Sequence, residues 1–185
     1  MLRTRVGYTG GSRKNPTYQQ LGDHTEALQI DYDPQVITYE QLLAIFWKSH
    51  TPTSPPWSQQ YKAAIYYHNE AQKQAALQTK EAEAKKRGKT ITTEVLSAHT
   101  FYRAEDYHQK YRLRRVRELV EEVRGLYSNE LAFVDSTAAA RLNGYIGGHG
   151  TLDQFTQELP KMGLSEKGQR LLQGYTSFSK KLRAR

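Results

Sequence analysis

Residues 3–12 read RTRVGYTGGS, a short extended run that meets two adjacent glycines. Arg3 to Tyr8 is expected as a strand, and Thr9-Gly10-Gly11 as the turn that ends it. Gly10 and Gly11 let the backbone bend sharply and let a ligand approach closely, so Tyr8 would present its hydroxyl at a strand end. Two further segments share this pattern. GDHTEA (22–27) puts Glu26 at the opening of an alternating run, TEALQIDYDP (25–34), and PPWSQQY (55–61) puts Tyr61 just before KAAIYYH (62–68). If that end of the strands is covered, burial would raise the pKa of Glu26 and let it hold and donate a proton near neutrality.

Around these stretches the order of elements can be read. GSRKNPTYQQLGD (11–23) is polar and carries Asn15-Pro16, so it is a loop. Thr38 and Gln41 make a capping box for a helix in which Leu42, Ile45 and Phe46 share one face. TPTSPPWSQQ (51–60) cannot continue that helix. Asn69 caps an alanine-rich helix to Arg87, closed by Gly88. TITTEVLSA (90–98) is rich in β-branched residues and reads as a strand. From Phe101 to Tyr127 the pattern is mostly helical, with Leu113, Val116, Val120 and Val123 as a stripe, and short helices follow. The class is α+β, with residues 1–112 as the mixed domain and 113–185 as a helical extension.

Composition excludes several chemistries. The 185 residues contain no cysteine, so disulfides and thiol chemistry within this sequence are ruled out. Six scattered histidines show no metal-ligand spacing, and no metal is assigned. No apolar run approaches the roughly 18 residues of a membrane span, and no secretory segment is evident, which points to the cytoplasm. Thirteen tyrosines against five phenylalanines suggest rings packed inside with hydroxyls reaching outward. Net charge is +8, and residues 161–185 hold seven basic residues and one acid. Such a run is ordinarily a solvated face; nucleic-acid binding is the sharper alternative, and no aromatic RNA-binding signature accompanies it.

Taken in order, Gly7-Tyr-Thr-Gly-Gly, His24-Thr-Glu-Ala and Ala104-Glu-Asp-Tyr-His-Gln-Lys-Tyr closely resemble the peptide methionine sulfoxide reductase A family, over Leu2 to Arg112. NGYIGGHG (143–150) is similar to the helical extensions of some members. The resemblance implies reduction of the S epimer of methionine sulfoxide, free or in proteins, back to methionine. It makes Glu26 the acid that protonates the sulfoxide oxygen and Tyr8 and Tyr61 the donors that hold it. Gly10, Gly11, His108 and Tyr111 join the substrate-binding set. It further implies no bound cofactor, recycling by thioredoxin or another thiol reductant, and a monomer. Pro56 stands where the family has an aspartate five residues before the second tyrosine.

The family's nucleophile lies in a Gly-Cys-Phe-Trp motif that has no counterpart here; Phe46-Trp47 is followed by Lys48 and belongs to a helix. The implied fold is a ferredoxin-like sandwich lacking its first strand and helix, with the missing strand central between two that are retained. A start upstream of Met1, with cysteine or selenocysteine as nucleophile, is preferred over a pseudoenzyme that binds sulfoxide or a protein partner without turnover. A sheet interrupted in this way exposes unpaired ladders, so the chain alone is expected to be marginally stable or aggregation-prone. A sharp thermal transition at an ordinary mesophile temperature would contradict this.

Overall fold

The computed structural model describes residues 2–176, so the last part of the basic run lies outside the described residues. The chain divides into two compact units, Val6–Ala104 and a helical one made of Glu105 onward together with the first five residues.

In the first unit the glycine turn and the alternating run behave as their residues dictate. Strand β1 (Arg3–Thr9) begins in the helical unit's share of the chain and ends in this one's. It is central in a three-stranded sheet, between β2 (Thr25–Asp31) and β5 (Tyr102–Arg103). β5 runs antiparallel to β1, with Gly7 opposite Arg103 and Tyr8 opposite Tyr102. A second sheet pairs β3 (Ala64–Tyr67) in parallel with β4 (Glu94–Ser97), Ile65 lying opposite Val95. A parallel pair needs a crossover, and α2 (Glu70–Arg87) supplies it. Asn69 Oδ1 accepts the Gln72 N–H at its start, and Gly88 ends it at φ 60°.

Helix α1 (Tyr39–Ser49) begins with the expected box: Thr38 accepts from Gln41 N–H, and the Gln41 side chain accepts from Thr38 N–H. Its buried face is not the expected one. Leu43 and Trp47 enter the core with Ile65, Ala76 and Ile91, whereas Ile45 is exposed. The apolar residues of α1 extend around more of the helix than one core can cover, and α2 and β3 cover the 43/47 side.

The helical expectation after residue 101 also needs correction. Tyr102–Arg103 is a strand, and Asp106–His108 is a single 3-10 turn. The chain then forms α3 (Tyr111–Arg114) and α4 (Arg117–Arg124). Leu113, Val116, Val120 and Val123 are all buried, but Val116, at φ −109° and ψ 83°, breaks the stripe between two helices. Backbone pairing with β1 outweighs local helical pattern at Tyr102–Arg103.

The helical unit continues through α5 (Glu130–Val134), α6 (Thr137–Ile146), α7 (Leu152–Glu158) and α8 (Glu166–Tyr175). Asn129, Ser136, Thr151 and Ser165 cap these four helices with their side-chain oxygens, which explains how short segments persist as helix. Their faces bury one cluster that includes Leu119, Phe133, Leu142, Phe155 and Leu172. The first residues of the chain belong to the same unit: Arg5 Nε donates to Asp135 Oδ1 at 2.8 Å, and Thr137 Oγ1 donates to the Leu2 carbonyl at 2.8 Å.

Phe133 is fully buried, with the Arg114 guanidinium 5.5 Å from its ring centroid. Phe133→Ala should destabilise the helical unit by about 3–5 kcal/mol, read as a lower urea midpoint in far-UV circular dichroism.

Candidate functional site

The site is assembled where β1 ends and β2 begins. Gly10 takes φ +83°, and a Cβ there would lie 2.5 Å from Tyr66 Oη. Gly11 has the same constraint for another reason, since a Cβ would meet the His24 backbone nitrogen at 2.6 Å. Both positions therefore require glycine, as expected of a turn that other groups approach closely.

His24, 1% exposed, fastens this turn. Its Nδ1 accepts the Gly11 N–H at 3.1 Å, which leaves Nε2–H to donate to the Arg13 carbonyl at 2.7 Å. Tyr102 stands edge-on to the ring at 5.5 Å. Beside it, both Asp23 carboxylate oxygens accept from Ser12 N–H at 2.9 Å, and that bond holds the Asp23 pKa below its ordinary value.

The next residues of β2 carry the turn's position to a second loop. Thr25 Oγ1 donates to the Gln59 carbonyl at 3.1 Å, and Gln59 Nε2 reaches the Asp23 carbonyl at 3.4 Å. Gln59–Tyr61 forms one 3-10 turn. Gln60 Nε2 then donates to Glu26 Oε1 at 2.7 Å, so the carboxylate is held rather than free. Tyr61 shares a hydrogen bond with Tyr18, and this bond first, then burial and the charges of Tyr18 and Glu26, raises its pKa. The phenol thus stays a donor over the physiological range.

The expected residues are placed unequally. Glu26 and Tyr61 lie together, joined through Gln60 and Tyr18. Tyr8 is 2% exposed, packed with Leu21 and Ala104. Glu26 and Tyr61 are exposed, so the covered carboxyl anticipated from sequence is not what this chain alone presents. His108 and Tyr111 belong to the helical unit; His108 Nε2 lies 3.9 Å from Glu105 Oε2, and Tyr111 is exposed with Arg115 over its ring. Gln60, Tyr18 and the His24 clamp were not anticipated. Only the adjacency of Gln60 to Tyr61, and of His24 to Glu26, could have signalled them.

Glu26 also borders a groove of about 380 Å³ that opens between β2 and β3. Leu28 and Ile30 of β2 form one wall, Leu42 and Phe46 of α1 another, and Tyr66 of β3 a third. β2 and β3 are each the terminal strand of their sheet. Tyr39 and Tyr66, both lining this groove, have buried hydroxyls with no hydrogen-bond partner among the described residues. No cluster of metal-ligating side chains occurs among the described residues. Nor is any described helix long and apolar enough to cross a membrane.

Residues 1–138 match the family model described as peptide methionine sulfoxide reductase. The chain belongs to that family. Residues 125–172 also match a model described as the helical domain of selenoprotein methionine sulfoxide reductase A, within the helical unit. The peptide methionine sulfoxide reductase of Drosophila melanogaster is 46% identical over 167 residues, covering 89% of this chain and 67% of the relative. Peptide methionine sulfoxide reductase A5 of Oryza sativa subsp. japonica is 40% identical over 151 residues, covering 78% of this chain and 59% of the relative. Among solved structures, reduced Mxr1 of Saccharomyces cerevisiae superposes with a TM-score of 0.58 at 29% identity, covering 62% of this chain and 71% of that one. Methionine sulfoxide reductase A of Corynebacterium diphtheriae gives 0.52 at 31% identity, with coverages of 63% and 64%. Both likenesses agree with the α+β class.

The Asp23 clamp has a definite pH signature. Its folded pKa is depressed, so its contribution is present above the unfolded value and is lost as pH falls through the folded one. Asp23→Asn should therefore be less stable than the parent above about pH 4 and converge with it at lower pH. Paired thermal melts across that range read the difference.

Proposed function

We propose that this chain supplies the sulfoxide-gripping side of a reductase that returns methionine S-sulfoxide to methionine. The observation that carries the reading is Glu26 at the border of a groove between two edge strands, held there by Gln60 next to Tyr61. Reduction consumes two thiol equivalents and one sulfoxide, and yields methionine, a disulfide and one water. The sulfur is attacked by a thiolate or selenolate while its oxygen takes up protons. Tyr61 and Tyr8 would donate hydrogen bonds to that oxygen, as oxyanion-hole donors do, and Glu26 would deliver the proton. Gln60 would hold the carboxyl in place. Gly10 and Gly11 would admit the substrate backbone.

This sequence holds no cysteine, so the chalcogen must come from residues outside it. A ferredoxin-like arrangement would give them a place. A strand carrying Gly-Cys-Phe-Trp would fit between β2 and β3, join the two sheets, and offer backbone groups to the Tyr39 and Tyr66 hydroxyls. Pro56 cannot perform the role of the family's aspartate. A thiol reductant such as thioredoxin would reopen the disulfide, which suits a reducing compartment such as the cytoplasm. On its own the chain would bind sulfoxide without reducing it.

A dithiothreitol-driven reductase assay separates these statements. The unextended chain should show no turnover. The same chain lengthened at its N-terminus by a strand bearing Gly-Cys-Phe-Trp should reduce the S epimer, and Glu26→Gln in that context should lower kcat by about 10²–10⁴-fold. A folded extended chain without activity, or one indifferent to Glu26→Gln, would refute the reading.

A further inference from the structure

Among the exposed large apolar side chains, Trp57 is the most open, at 82%. Its position is not that of an idle surface residue. One face of its indole stacks on Tyr61, with ring centroids 4.6 Å apart and planes inclined by 22°. Tyr61 in turn hydrogen-bonds Tyr18 and feels the Glu26 charge, so the indole adjoins the cluster assigned to the sulfoxide. The loop is restrained on both sides of it. Pro55 and Pro56 limit the backbone before it, and Gln59 after it is tied to Thr25 and Asp23. An aromatic ring fixed in this way loses little freedom when something packs on its open face.

We propose that Trp57 is a specificity-determining residue, which packs on an aromatic side chain two positions from the oxidised methionine of a polypeptide substrate. This rests on the reading of Glu26 and Tyr61 as the sulfoxide site. The reach agrees with the geometry. In an extended peptide, side chains two residues apart point the same way and lie roughly 7 Å from each other. Added to the length of an aromatic side chain itself, that spacing lets a neighbour pass the Tyr61 ring and the 4.6 Å stack and meet the open indole face. Rings prefer offset or edge-to-face contact with an indole, so an aromatic neighbour gains more there than an alanine does. A free amino acid has no such neighbour.

The test is binding, which the chain can perform without a nucleophile. Two blocked pentapeptides carry methionine S-sulfoxide at the centre, one with phenylalanine at both ends and one with alanine there. Calorimetry on the full chain should show the phenylalanine peptide binding about fivefold more tightly. Trp57→Ala should bring the two within twofold without weakening the alanine peptide, and Trp57→Phe should keep most of the preference. Because Trp47 is buried and Trp57 is not, the phenylalanine peptide should also shift the solvent-exposed part of the tryptophan emission to the blue. Trp57→Ala leaving the ratio intact, or weakening both peptides alike, would overturn the proposal. Equal binding of both peptides by the parent chain defeats this proposal alone; failure to bind either defeats the sulfoxide-site reading with it.

Discussion

The histidine ring between Gly11 and Arg13 is the contact on which the site's geometry rests. It satisfies one backbone donor and one backbone acceptor of a loop that has no strand partner for either. Part-buried hydrogen bonds of this kind contribute about 1 kcal/mol each. Because His24 is also the residue before β2, the same ring sets where Thr25 and Glu26 begin. Thr25 passes that placement to Gln59, and so to Gln60, Tyr61 and Trp57. One side chain thus couples the end of β1 to both walls of the site.

The groove raises the opposite issue, an interaction left open. Two strands end their sheets beside an apolar cavity, and two tyrosine hydroxyls within it lack partners among the described residues. Buried polar atoms are normally paired, because an orphan forfeits its hydration without compensation. Such a combination of apolar walls, strand edges and orphaned hydroxyls suits an extended backbone far better than a small rigid ligand. Leu42 and Phe46 on α1, expected as core, line this cavity, while Leu43 and Trp47 fill the interior.

Much of this architecture was legible in the residues because short-range chemistry dictates it. Thr38 with Gln41, Asn69 and Gly88 announce helix ends through hydrogen bonds made within a few residues, and these ends fall where expected. Gly10 is legible for a similar reason, as its φ is one that side-chain-bearing residues avoid. What escaped the sequence depends on distant partners. Tyr102 and Arg103 are strand only because β1, far earlier in the chain, lies alongside. The break at Val116 and the choice of face on α1 likewise follow from packing between elements. In the site, the pairing of Glu26 with Gln60 joins residues 34 apart, and no local pattern marks it.

The proposed reading puts the oxygen-binding groups and the attacking atom on different stretches of chain, and this would have a physical consequence. Gln60 and Tyr61 sit on a turn anchored by the Thr25–Gln59 and Gln59–Asp23 hydrogen bonds, contacts made entirely within this chain. The carboxyl of Glu26, by contrast, faces solvent. A segment entering the groove would therefore do two things at once. It would deliver the chalcogen to the sulfur, and by excluding water it would strengthen the hydrogen bonds that the polar groups beside the groove make to the departing oxygen. On the proposed reading, the polar cluster around Glu26 and the attacking atom would meet only when that segment is seated in the groove.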